Sequence, residues 1–147
     1  MDLPLTQDMK IVQAVLYASG VAAATNITGE TVDTDGFEKV TFIVQFGAIV
    51  TGAVTSIKVQ RGNASNLSDA ADIEGSAQTV ADNADGKVFY VDILRPRERY
   101  VRLIVSRATQ NAALSAICIL HGARNKPPTQ PADVSGEVIK DANEGTA

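Results

Sequence analysis

Apolar and polar residues alternate through most of the chain between residues 10 and 122, and a period of two marks half-buried strands. The clearest instance is Val40-Thr41-Phe42-Ile43-Val44-Gln45-Phe46. Val40, Phe42, Val44 and Phe46 share one face, with Thr41, Ile43 and Gln45 on the other. Four large apolar side chains on one face demand a second layer, because each stabilises by roughly 1.5–3 kcal/mol only when buried. The alternation returns in Val54 to Gln60, where Ile57 and Val59 oppose Ser56, Lys58 and Gln60. It returns again in Lys87 to Leu94 (Phe89, Val91, Ile93), in Tyr100 to Ser106 (Val101, Leu103, Val105), and in a last core strand from Leu114 to Leu120. Met9 to Tyr17 is rich in β-branched residues and reads as a further strand.

Turn signals separate these runs. Asp33, Asp35 and Gly36 form one, Asp85-Gly86 a second, and Arg95-Pro96 a third. Ser19 to Ile27 is small and Ala-rich and suits a loose connection. Arg61 to Ala84 is polar; within it, Leu67 to Ile73 predicts one or two helical turns and Ala77 to Val80 a brief strand. About seven short strands at roughly ten-residue spacing predict an all-β fold, an antiparallel β-sandwich or barrel. The domain so defined spans residues 10–122. Residues 1–9 predict an extended N-terminal arm, since Pro4 disfavours an early helix. Residues 123–147 hold Pro127, Pro128 and Pro131 and few large apolar residues, and they predict an extended or flexible C-terminal tail.

Composition refines this picture. A chain of 147 residues suits one domain. Aromatic residues make up 5% and Trp is absent, so the core has few large anchors and the expected sandwich is thin, of a kind that neighbouring copies can support. The net charge of −4 argues against a general nucleic-acid binder. No apolar run approaches the roughly 20 residues of a membrane helix. The first residues lack the basic start and apolar centre of a signal peptide, so the expectation is synthesis in the cytosol.

Catalytic chemistry has little to build on. His121 and Cys118 are the single His and Cys, too few for a structural zinc site. Cys118 lies in an apolar run and reads as an inert core thiol. Ala81 to Gly86 places a glycine as a calcium loop would, but Ala81 cannot coordinate, and a plain acidic turn is the simpler reading. No G-x-S-x-G elbow occurs, His121 precedes a glycine at a strand end, and Asp33/Asp35 and Asp69/Asp72 lie in polar loops. No glycine loop opens a helix to cradle phosphate. The expectations are no enzyme, no cofactor and no metal.

One feature asks for a partner. Five arginines fall between Arg95 and Arg107, in an acidic chain. They are either a solvated face that pairs with the chain's own acidic loops or a surface for a subunit or partner, a role to which guanidinium forks are suited. Stacking aromatics are absent there except Tyr100, which disfavours nucleic acid.

Leu5-Thr6-Gln7-Asp8-Met9-Lys10-Ile11-Val12, the run Asp35 to Gly47, Val54 to Gln60, Tyr90-Val91-Asp92-Ile93 with Arg95-Pro96, Arg99-Tyr100-Val101-Arg102 and Arg107 to Asn111 occur in that order. The combination resembles the small capsid decoration, or cement, proteins encoded near the major capsid gene of tailed bacteriophages. That resemblance implies a jelly-roll-like sandwich, a homotrimer on the outer capsid surface of the virion, and the major capsid protein as partner, with no catalytic residues. The expected contact residues are Leu3, Leu5 and Asp8 of the arm, with Arg95, Arg97, Arg99, Tyr100 and Arg102. Two other readings compete: a carbohydrate-binding sandwich, for which only Tyr17, Tyr90 and Tyr100 offer rings, and a tail or neck subunit of a virion.

Overall fold

The alternating segments become the strands of two facing antiparallel sheets in the computed structural model, which describes residues 4–139. The elements are α1 (Leu5–Asp8), β1 (Lys10–Val15), β2 (Ile27–Thr28), β3 (Val32–Asp33), β4 (Lys39–Ile49), β5 (Val54–Gly62), β6 (Ala71–Asp72), β7 (Gln78–Val80), β8 (Val88–Leu94), β9 (Tyr100–Ala108) and β10 (Ala112–His121). One sheet has the order β1-β10-β4-β8. In the other, β9 and β5 pair at the centre, β2 and β3 both flank β9, and β6 and β7 both flank β5.

Taking β2 with β3, and β6 with β7, as broken single strands exposes the winding. First pairs with last (β1 with β10), the next inward pair is β2/β3 with β9, then β4 with β8, and β5 with β6/β7 is innermost. Successive nested pairs belong alternately to the two sheets. This is a long antiparallel ribbon rolled into a sandwich, a jelly roll, and the antiparallel β-sandwich expected from the alternation is present.

The core lies between the sheets. Val40, Phe42, Val44 and Phe46 of β4 are fully buried, as are Ile57 and Val59 of β5, Val101, Leu103 and Val105 of β9, and Cys118 and Leu120 of β10. Phe46 meets Phe89 edge to face, with ring centroids 5.6 Å apart and planes at 87°. The break between β2 and β3 has a local cause. The backbone passes so close to β1 and β9 that a Cβ on Gly29 would sit 2.6 Å from the carbonyl oxygens of both Ala14 and Leu103. Only glycine fits, and Gly29 N–H and Glu30 N–H each donate across the gap, to Leu103 and Ala14.

Two segments depart from the sequence expectation. Leu5–Asp8 is a single helical turn rather than extended chain. Leu67 to Ile73 is not helical: Leu67 takes a left-handed φ of 52°, and Ala71–Asp72 is a strand. The reason is side-chain competition for backbone donors. The Asp69 carboxylate accepts from Asn63 N–H at 2.8 Å and Ala64 N–H at 3.1 Å, and Asn66 Oδ1 accepts from Ser68 N–H at 3.1 Å. The tail has no helix or strand among its described residues and is docked as far as Gln130. Gln130 Oε1 accepts from Ile11 N–H at 2.9 Å, its amide donates to Met9 O at 2.6 Å, and Lys126 Nζ lies 2.5 Å from Asp8 Oδ1. The tail thereby covers the start of the outer edge of β1, at Met9 and Ile11.

Candidate functional site

The outward faces of the two sheets differ in kind. On the six-stranded sheet, residues opposite in parity to the buried ones point out, and their polar groups are tied to one another. Arg99 donates from Nε and Nη2 to the two Asp33 oxygens at 2.9 and 2.8 Å, and it lies 5.3 Å from the Tyr100 ring centroid. Arg102 forks onto Gln60 Oε1 at 3.0 and 2.8 Å. Gln60 in turn donates to Asp72, which also pairs with Lys58 at 2.7 Å. The Arg99 fork holds the Asp33 carboxyl below its usual range, and the Lys58 ammonium does the same for Asp72.

The four-stranded sheet shows the reverse. Cross-strand register aligns Ile11, Ile119, Thr41 and Asp92 in one row over β1, β10, β4 and β8. Gln13, Ile117, Ile43 and Tyr90 form the next. Ile117 is 41% exposed, Tyr90 67%, Val88 57% and Leu94 66%. Gln45, Ser115, Lys39 and His121 complete the border. Four strands about 4.8 Å apart and about seven residues long make an outer face of roughly 450 Å² in all, apolar in part, with Gln13, Thr41 and Asp92 among its polar positions. An apolar centre with a polar border is how protein interfaces are built.

Thr41, Asp92 and His121 bring a hydroxyl, a carboxylate and an imidazole together on this border. Thr41 Oγ1 donates to Asp92 Oδ1 at 2.7 Å and lies 3.0 Å from His121 Nε2. With its one proton committed to Asp92, the hydroxyl accepts from the imidazole, so His121 is not placed as its base. The trio is a polar clasp across three strands. The acidic turn of residues 81–86 is likewise structural: Asp82 accepts from Gly52 N–H at 2.7 Å and Asp85 from Ile49 N–H at 2.8 Å.

The residues expected at a contact surface are distributed as follows. Leu3 lies outside the described residues. Leu5 is 54% exposed on α1, and Asp8 pairs with Lys126. Arg95 and Arg97 are exposed in the β8–β9 connection, where Arg95 holds a left-handed φ of 51°. Arg99 and Arg102 are engaged by Asp33 and Gln60, and Tyr100 is half-buried.

The fifth arginine turns inward. Arg107 is 3% exposed, and its guanidinium donates to the carbonyls of Thr25 (2.7 Å), Val21 (2.8 Å), Ala112 (2.7 Å) and Ser19 (3.3 Å). The sequence reading of a basic cluster overlooked this, although parity carried the signal: Arg107 continues the odd-numbered series of Val101, Leu103 and Val105. It also missed the apolar outer face, whose Ile43, Tyr90 and Ile117 sit at the polar positions of the alternation.

No family model matches the chain, and no curated protein matches it. Among solved structures the chain is similar to the crystal structure of the SPBc2 prophage-derived protein YomS, with 15% identity and a TM-score of 0.49 over 81% of this chain and 98% of that one.

Proposed function

We propose that this chain is a structural virion protein of the capsid decoration, or cement, type, which seats as a homotrimer on the outer surface of a phage head and bridges neighbouring major capsid proteins. The observation that carries the reading is the apolar outer face of the four-stranded sheet, set on a sandwich whose other face satisfies its own charges. A cement protein works by contact area. Its body must be rigid, one face must be worth burying, and weak contacts repeated over many copies then add up to a large stabilisation. The exposed Leu5, Arg95 and Arg97 extend the available contact beyond the sheet face. The sequence resemblance to cement proteins supports the same reading.

The test uses purified, expanded capsids that lack the protein. Saturable binding, with capsids surviving higher temperature once decorated, is the expected result. Absence of binding overturns the proposal. Light scattering separates the oligomer from the role: a single-chain mass at micromolar concentration counts against a preformed trimer. The exposed Tyr17 and Tyr90 rings keep a sugar-binding reading testable, and clear hits on a glycan array would favour it.

A further inference from the structure

The jelly roll leaves four sheet borders, and three are closed or short. The outer edge of β1 is capped at its start by Gln130, which bonds Met9 and Ile11, and only a few residues remain beyond. Beside β9 lie the two-residue β2 and β3, and beside β5 the short β6 and β7, lengths that blunt an edge. The fourth border, β8, differs. It runs seven residues, Val88-Phe89-Tyr90-Val91-Asp92-Ile93-Leu94, with one charge, and among the described residues it pairs only with β4.

The backbone bonds fix which groups face outward. Phe46 N–H donates to Lys87 O, and Arg95 N–H donates to Glu38 O. Antiparallel pairs alternate between bonded and non-bonded, so the odd-numbered residues 87 to 95 turn their N–H and C=O toward β4. Val88, Tyr90, Asp92 and Leu94 therefore turn theirs to the open edge. Tyr90 O is met there by the Gln78 side chain at 2.8 Å, which fits this parity. The same four residues project their side chains onto the apolar face.

We propose that β8 is a strand-addition site for β8 of a second copy of this chain. Antiparallel pairing about a two-fold axis through Val91 sets Val88 opposite Leu94, Phe89 opposite Ile93, and Tyr90 opposite Asp92. All four edge-facing residues then fall in bonded pairs, and Asp92 never opposes Asp92. Directly opposed like charges occur only where Lys87 faces Arg95, at the exposed ends of the ladder, and the two Asp92 side chains are diagonal neighbours. Gln78 releases Tyr90 O to the incoming strand. The product is one eight-stranded sheet with a continuous apolar face. The contact is isologous, whereas a trimer closes through heterologous ones, so it joins copies or trimers independently of any three-fold contact.

The experiment is sedimentation of the full chain from micromolar to sub-millimolar concentration, beside two variants. Tyr90→Pro removes an outward N–H and no bond to β4, and Val88→Lys puts a charge on the exposed edge. The expected result is a mass that doubles with concentration, from one chain to two or from three to six, and a doubling constant weakened about ten-fold or more in both variants. Slower amide exchange at residues 88, 90, 92 and 94 accompanies the doubling. A mass that never doubles overturns the inference, as does a doubling that both variants leave unchanged. A mass that holds at three chains counts against the edge contact while sparing the trimer, so the two readings fail separately.

Discussion

Arg107 carries a full positive charge into the interior, and its partners among the described residues are carbonyl oxygens, not a carboxylate. Burial pushes its guanidinium pKa down, and the fork compensates by bonding four carbonyls of the 19–25 connection and β10. The segment that reads as a loose, Ala-rich connection is therefore fixed by one side chain from another strand. Arg107→Met leaves those carbonyls without donors and is expected to cost about 3 kcal/mol or more, read by urea unfolding. Residue parity was enough to place Arg107 inside; its partners were not legible, because main-chain carbonyls look the same at every position. Cys118 was legible, since it sits on the buried parity of β10. Burial raises its thiol pKa to about 12, so it should resist thiol reagents in the native protein and react once the chain unfolds. Asp33, like Asp72, is a pH-sensitive member of the outer network. Its carboxyl is held low by Arg99, so the pair contributes stability above the ordinary carboxylate range and loses it as pH falls through the depressed value. Stability measured against pH in Asp33→Asn should fall less steeply below about pH 4, and by no more than about 1 kcal/mol, because the pair is half exposed.

Long strands announce themselves and short ones do not. β4, β5, β8, β9 and β10 hold seven to eleven residues, enough for alternation to be unmistakable. β2, β3 and β6 hold two each, and two residues have no period. They exist because a long neighbour offers a ladder, which is tertiary information. The helix expected at Leu67 to Ile73 failed for a related reason, since Asp69 and Asn66 serve the turn instead. At this scale Gly29 is the sensitive position. Gly29→Ala drives a methyl into two carbonyl oxygens that cannot yield without moving β1 or β9. A loss of several kcal/mol is expected on thermal unfolding, beyond the roughly 1 kcal/mol of ordinary glycine changes. Phe46→Ala, which empties a fully buried site beside Phe89, should cost about 3–5 kcal/mol in the same assay.

For the whole molecule, the division of labour between the two outer faces is the main result. The network joining Arg99, Asp33, Arg102, Gln60, Asp72 and Lys58 needs nothing from outside. The Ile11, Ile43, Ile117, Ile119 and Tyr90 face keeps apolar surface in solvent, which the proposed cement role would bury. Ile117→Lys should leave the melting temperature within a few degrees of the parent, because the side chain is already 41% exposed. Under the proposed cement role, capsid binding by the same variant should fall at least about ten-fold, which a pull-down of decorated capsids measures. Alternation made the sandwich legible, while the apolar outer face was not, because it depends on which exposed positions become neighbours across four strands.

The nested winding also sets how the molecule bears load. β1 and β10 are the first and last strands, and Lys10 lies opposite Leu120. A force drawn between the two ends of the domain would break the Lys126–Asp8 and Gln130 ties and then peel that pair open one rung at a time, like a zipper. A force spread over a sheet face meets all the rungs together. A protein wound this way holds best when it is gripped by its flank and worst when it is pulled by its tails.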